Sequence, residues 1–127
     1  MLGSSMRMRK ADDFRFAFRC GVSAGGRYVV SHMAQADDEQ ILVGFVVSKK
    51  VGNSVVRHRV KRQCRHIVRE RLMELPKGAR LVVRALPSAA GQSSDRLTTD
   101  IYGTIERTLR KLTRRTQREE KQCKSDG

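Results

Sequence analysis

Some segments of the chain have apolar residues at helical spacing and others at strand spacing, and the order of these segments predicts the secondary structure. Phe14 and Phe18 are i, i+4 neighbours, which predicts one face of a short helix that begins near Lys10. Two runs rich in β-branched and aromatic residues follow at 27–34 and 41–47, separated by an acidic stretch. Such runs favour strands, and together they predict an antiparallel pair.

A second helix is predicted after a turn at Gly52 and Asn53. Either Asn53 or Ser54 can cap it, and it would continue to about Leu75, before Pro76. At about 100° per residue, its apolar positions fall on one face. This stripe consists of Val56, Val60, Cys64, Ile67 and Val68.

The last third of the chain predicts one more strand and one more helix. Residues 81–85 read as a third strand, and 87–94 as a loop that brings Ser94 or Asp95 to the cap of a final helix. The apolar face of that helix would consist of Leu97, Ile101, Ile105, Leu109 and Leu112.

A length of 127 residues fits one domain with a modest core. Residues 1–9 lack a clear period and are expected to form a flexible basic arm. Residues 10–115 would form the domain. Residues 116–127 have no aliphatic anchor and are expected to be a disordered tail.

Positive charge is concentrated in the second predicted helix. The net charge is +14, and between residues 49 and 71 nine basic side chains face a single acid, Glu70. His58, Arg62, Arg65 and Arg69 are spaced to lie opposite the apolar stripe. A solvated helix face usually alternates in sign, so this one predicts a polyanionic partner, with phosphate the obvious group.

The sequence gives little indication of a membrane segment, a disulfide or a metal site. No apolar run approaches the roughly 20 residues that span a bilayer, and no secretory signal is visible, which favours a soluble cytoplasmic protein. Cys20, Cys64 and Cys123 form no C-x-x-C pair, so neither a disulfide framework nor a metal site is predicted. Cys64 is expected in the core.

Residues 45–65, FVVSKKVGNSVVRHRVKRQCR, closely resemble the signature of the protein subunit of bacterial ribonuclease P. The resemblance extends to the Asp-Phe of the first helix, the GRYVV and LVVRA strands and the final helix, over about residues 10–112. One departure is His58, which stands where the family usually has Asn. An imidazole can still hydrogen-bond RNA, but its bonding depends on tautomer and pH.

The resemblance implies an α+β fold in the order α-β-β-α-β-α, a ribosomal-protein-like sandwich with a left-handed β-α-β crossover. General rules of chain handedness would favour the opposite crossover. It also implies an accessory subunit with no catalytic residue, metal or cofactor of its own. An RNA subunit that uses magnesium would cut precursor tRNA to release the 5′ leader. The implied partners are ribonuclease P RNA and precursor tRNA, without a membrane.

The resemblance also implies two sets of binding residues. Those expected to contact the catalytic RNA are Lys49, Lys50, Arg57, His58, Arg59, Lys61, Arg62, Arg65 and Arg69. Those expected to line a cleft for the single-stranded leader are Phe14, Phe18, Tyr28 and His32. Core packing remains an alternative for the cleft residues, and it is the stronger alternative for Phe18.

Three other functions are open to a small basic α/β protein. A noncatalytic ribosomal or general RNA-binding protein would have a similar composition. A protein nuclease would need carboxylates or histidines placed for metal binding or proton transfer, which the sequence does not suggest. A DNA-binding helix would need a partner helix just before it, and none is predicted.

Overall fold

The computed structural model of the protein describes residues 6–8 and 10–119, without the side chains of 116–119. The helices are α1 (Ala11–Cys20), α2 (Ser54–Glu70) and α3 (Ser94–Glu119), and the strands are β1 (Val22–Gly25), β2 (Val29–Gln35), β3 (Leu42–Val46) and β4 (Ala79–Ala85). Short 3₁₀ turns follow α2 at Leu72–Glu74 and β4 at Pro87–Ala89. The predicted α+β class is confirmed.

The strands form one mixed sheet in the order β1-β2-β4-β3. β4 runs antiparallel to β2 and parallel to β3, so β2 and β3 are not partners and the predicted pairing between them is wrong. The reason is burial, because every residue of β4 except Arg84 is buried and such a strand needs neighbours on both sides. β3, α2 and β4 thus form a parallel β-α-β unit.

The sequence reading missed β1. Val22–Gly25 pairs antiparallel with β2, with Val22 opposite Met33. Cations of α3 cover its outer edge, since Lys111 donates to the carbonyl of Ser23 at 2.6 Å and Arg107 to that of Gly25 at 3.0 Å. An edge strand covered in this way is protected from pairing with other chains.

The sheet has two differently covered faces. Helices α2 and α3 cover one face over the main core, which includes Val29, Met33, Phe45, Val60, Cys64, Leu81, Leu97 and Ile101. Helix α1 covers part of the other face over a smaller cluster of Met8, Phe14, Ala17, Leu42, Val46 and Val82. The face under α1 is left partly open, which matters for the cleft described below.

Part of the predicted flexible arm is packed. Met8 donates its backbone N–H to the carbonyl of Val43 at 2.9 Å, and Arg7 pairs with Val43 as a parallel bridge. The Met8 side chain is only 5% exposed. The arm prediction is therefore wrong for residues 6–8, because the open edge of β3 supplies hydrogen-bond partners, while 1–5 and 9 lie outside the described residues.

The helix ends also differ from the predictions. Asn53 caps α2 as expected, and its Oδ1 accepts the N–H of Val56 at 3.0 Å. At α3 the cap is Ser93, whose Oγ accepts the N–H of Arg96 at 3.3 Å, so the predicted cap at Ser94 or Asp95 is wrong. Ser94 instead bonds Gln63 of α2.

Two predicted boundaries fall elsewhere. α2 ends at Glu70 rather than near Leu75, and the chain continues as a 3₁₀ turn. α3 continues through Glu119, past the predicted domain end at residue 115. The rest of the predicted tail, 120–127, lies outside the described residues.

Candidate nucleic-acid interface

The nine residues expected to bind RNA are called here the basic surface. It begins at a tight turn in which Val51 donates its N–H to the carbonyl of Ser48 at 3.1 Å. Lys49 and Lys50 occupy the two corners of that turn, and both are exposed. Val51 is buried beneath them, so the lysines are held outward just before α2 begins.

The outer row of α2 consists of His58, Arg62 and Arg69, which are all exposed, as is the neighbouring Arg59. Their side chains face away from the buried residues Val60, Cys64, Ile67 and Val68. A shallow groove of about 470 Å³ runs along this row, lined by Ser54, Val55, His58, Arg59 and Arg62.

The inner row consists of Arg57, Lys61 and Arg65, spaced four residues apart and half-buried. The sequence reading had placed Arg65 with the outer row. The Nε atoms of Arg57 and Arg65 are shielded from solvent and have no hydrogen-bond partner among the described residues. Burial lowers the pKa of Lys61, and the nearby charges of Arg65 and Arg7 lower it further. The inner row therefore carries mutually repelling cations, and a bound anion would relieve that repulsion.

No member of the basic surface makes an ion pair within the described residues. The ion pairs found there are Arg15–Asp12, Arg71–Glu74, Lys77–Glu39 and Arg80–Asp38. Arg71 belongs to the fold instead, because its guanidinium also lies 4.5 Å from the ring centre of Tyr102. The positive charge of α2 is thus left for an external partner.

Helix α1 and the partly open face of the sheet bring together Phe14, Phe18, His32 and Arg84, and this region is called the α1 cleft. Phe14 packs closely against β3 at Gly44, where an added Cβ would lie 2.6 Å from the ring. Phe18 makes an edge contact with His32, with ring centres 4.7 Å apart, and is 42% exposed. Phe18 is therefore the more accessible ring, contrary to the expectation that favoured it for the core.

His32 and Arg84 project from the sheet into this cleft. The Nε2 of His32 is shielded from solvent and has no partner among the described residues. Burial, and then the charge of Arg84, lowers the pKa of His32. Sequence reasoning missed Arg84, although an exposed arginine within the apolar run LVVRA was a visible signal. Val30 and Val46 flank it on the same face.

Tyr28 is not brought together with the other cleft residues. It precedes β2 and packs against the core beneath α3, on the opposite face of the sheet from Phe18 and His32. The two-residue period predicted a shared side, but Tyr28 lies in the bend where the N–H groups of 27–29 turn towards Asp100.

Among residues 6–8 and 10–119, no three His, Cys, Asp or Glu side chains are grouped to hold a metal ion. Burial raises the pKa of Cys64 to about 12, as expected of a thiol in the core. Over the same residues, no helix has the length and apolarity to cross a bilayer.

Comparisons with known proteins give a consistent result. The family model for ribonuclease P matches residues 2–113. The ribonuclease P protein component of Salinispora tropica is 42% identical over 124 residues, covering 83% of this chain and 91% of that protein. That of Beutenbergia cavernae is 45% identical over 106 residues, covering 83% and 89%.

Solved structures share the fold. The Staphylococcus aureus RNase P protein superposes with a TM-score of 0.73 at 23% identity, covering 81% of this chain and 94% of that one. The Thermotoga maritima RNase P protein gives 0.68 at 25% identity, covering 76% and 92%.

Proposed function

Because this chain belongs to the ribonuclease P protein family, and is thus the protein subunit of an endoribonuclease that processes tRNA 5′ ends, we propose that it binds two RNA partners. The basic surface binds the catalytic RNA. The α1 cleft binds the 5′ leader of precursor tRNA. The protein works in the cytoplasm and supplies no catalytic group of its own.

The observation that carries this proposal is the unpaired charge of α2. Its exposed outer row and its half-buried inner row have no acidic partner among the described residues. A structured RNA presents phosphates at close intervals, and each neutralised phosphate releases counterions, which drives association. The guanidinium groups of Arg57 and Arg65 have no acidic partner among the described residues and suit phosphate oxygens, which accept charge-assisted hydrogen bonds.

The chemistry in this proposal belongs to the RNA subunit, which uses magnesium to hydrolyse the phosphodiester at the 5′ end of the tRNA. Cations of the protein reduce repulsion between the catalytic RNA and its substrate. Less magnesium is then needed for assembly and binding. The protein acts by positioning and electrostatics.

The α1 cleft supports leader binding through two side-chain types. Phe18 presents a partly exposed ring for stacking on an unpaired base, worth about 1 to 3 kcal/mol per base. Arg84 is exposed on the same side and offers a cation to the leader backbone. Stacking does not depend on base identity, which suits leaders of variable sequence.

The test is 5′ cleavage of a precursor tRNA at low magnesium by a bacterial ribonuclease P RNA, with and without the protein. We expect cleavage only when both are present. The chain in which Arg59 and Arg62 are both changed to Gln should lose most of the stimulation while keeping its unfolding temperature. Cleavage by protein alone would overturn the assignment of the chemistry. Tight RNA binding without stimulation would instead indicate a general RNA-binding protein.

A further inference from the structure

A second groove lies on the other face of the sheet, between the turn that joins β1 to β2 and the first half of α3. It encloses about 680 Å³ and is called the α3 groove. Its lining residues are Arg27, Tyr28, Asp95, Arg96, Thr99, Asp100, Gly103 and Arg107. It holds Tyr28, which the α1 cleft lacks.

Asp100 fixes one wall of the α3 groove. Its carboxylate accepts the backbone N–H groups of Arg27, Tyr28 and Val29 at 2.9, 2.8 and 3.1 Å. Gly26 permits this approach, because an added Cβ would lie 2.5 Å from the carboxylate oxygens. The bend that carries Arg27 and the Tyr28 ring is therefore anchored to α3, and little entropy would be lost when a ligand binds there.

The charges in the α3 groove favour an anion. Arg27, Arg96 and Arg107 make no ion pair within the described residues, and all three are exposed. The charge of Asp100 is spread over three amide donors. Asp95 is the remaining acid of the lining and is expected to oppose an anion. Three guanidinium groups beside one half-exposed aromatic ring match a nucleotide, with its phosphate and its base.

The α3 groove continues from the basic surface through a polar bridge. Gln63 of α2 donates from its Nε2 to the carbonyl of Gln92 at 3.2 Å and to the Oγ of Ser94 at 3.3 Å. Gln92 in turn accepts Nη1 of Arg96 through its Oε1 at 3.5 Å. Gln63 directly follows Arg62 of the outer row. These hydrogen bonds form a polar link between α2 and the residues that line the α3 groove, so one RNA molecule bound along α2 can extend to the groove.

We propose that the α3 groove is a second contact for the catalytic RNA, in which Tyr28 stacks on an unpaired base while Arg27 and Arg96 bind the flanking phosphates. The inference rests on the proposed function and extends it to residues that neither the basic surface nor the α1 cleft includes. Continuity with α2 favours the catalytic RNA over the leader, which is assigned to the opposite face.

The test measures the affinity of the full chain for ribonuclease P RNA over a range of salt. Tyr28→Leu keeps an apolar side chain against the core but removes the stacking ring, and we expect about 5- to 100-fold weaker binding. Tyr28→Phe should retain the wild-type affinity. Arg96→Gln should reduce the salt slope by about one. Asp95→Asn removes the opposing acid and should strengthen binding.

Matched variants make the outcomes distinguishable. Lys77→Gln removes an exposed cation that pairs with Glu39 away from α2, and it should leave RNA affinity unchanged. Arg62→Gln reports on the basic surface. If Arg62→Gln weakens binding while Tyr28→Leu and Arg96→Gln do not, the RNA contact proposed at the α3 groove is wrong and the proposed function stands. If none of the three has an effect, both fail.

Whether the α3 groove binds the catalytic RNA or the leader is tested in the assembled holoenzyme. The measurement compares the affinity for precursor tRNA with the affinity for mature tRNA. We expect Tyr28→Leu to leave the ratio unchanged. A selective loss for precursor tRNA would overturn the assignment to the catalytic RNA. Thermal unfolding of each variant shows whether the fold is intact, and Tyr28→Phe, which keeps the ring, shows whether the hydroxyl contributes to binding.

Discussion

Arg80 and Asp38 form a two-point ion pair that ties β4 to the loop between β2 and β3. Nη2 of Arg80 lies 2.6 Å from Oδ2 of Asp38, and Nη1 lies 3.1 Å from Oδ1. The same Nη1 donates to the carbonyl of Gln40 at 2.7 Å. The arginine is only 6% exposed, so these acceptors, and not water, stabilise its charge.

Asp38→Asn should therefore destabilise the fold. The amide keeps the size of the side chain but leaves a buried guanidinium without its anion. We expect the free energy of unfolding to fall by about 1 to 3 kcal/mol, as for loss of a charged hydrogen-bond partner. Urea denaturation at neutral pH measures it.

Glu39→Gln is the matched control for that change. Glu39 is the next residue and also pairs with a cation, Lys77, but at 3.6 Å and with both side chains mostly exposed. Exposed pairs contribute about 1 kcal/mol or less. Equal losses for the two variants would show that the loop, and not the buried Arg80, determines the effect.

The charges of the inner row are expected to lower the stability of the free protein while they raise its affinity for RNA. Lys61→Met retains a long side chain and removes a half-buried charge, whose pKa is lowered by burial and then by repulsion from Arg65 and Arg7. We expect the free protein to become more stable by up to about 1 kcal/mol. Its affinity for ribonuclease P RNA should fall, with a salt slope smaller by about one.

Arg110→Met is the control for Lys61→Met, because Arg110 is an exposed cation of α3 that lines none of the grooves described. It should change neither quantity by a comparable amount. If Lys61→Met destabilises the free protein, the repulsion inferred for the inner row is not significant.

The sequence predicted the helices and strands whose apolar periodicity is strong. It did not predict an element whose formation depends on tertiary contacts. The stripe of α2 and its Asn53 cap follow from local spacing and side-chain chemistry. β1 was missed because Ser23 and Gly25 have low strand propensity, and it exists through its pairing with β2 and the cations of α3. Local propensity cannot encode such long-range contacts.

In the candidate sites, too, local spacing predicted some features and tertiary contacts determine the others. Helical spacing identified the cations of α2, but it could not distinguish the outer row from the inner row, which depends on how β3 and the N-terminal segment pack against α2. Strand period placed Tyr28 beside His32. Backbone N–H groups of that segment instead donate to Asp100, some 70 residues away in sequence, and this turns the segment towards α3. The side a residue faces at a strand end is set by such contacts.

The two rings of the α1 cleft should respond differently to removal. Phe18→Ala deletes a ring that is 42% exposed, so stability should change little. Its affinity for precursor tRNA in the holoenzyme should fall by about 1 to 3 kcal/mol, with mature tRNA unaffected. Phe14→Ala removes the ring packed on Gly44 and should mainly lower stability. Equal losses for precursor and mature tRNA with Phe18→Ala would exclude a leader contact.

His32 predicts a dependence of stability on pH. Its folded pKa is lowered by burial and then by Arg84 from the model-compound value of 6.5. As pH falls below that value, the unfolded chain binds the proton before the folded chain does, so stability decreases until the folded pKa is reached. His32→Phe should remove this loss as the pH falls below about 6.5, whereas His58→Gln, at an exposed site, should not. Arg84→Gln should raise the pKa of His32 in an NMR titration, but not fully to its ordinary value, because burial remains. If the pKa of His32 does not rise in Arg84→Gln, the two groups do not interact, and Arg84 cannot be assigned to the same cleft on electrostatic grounds.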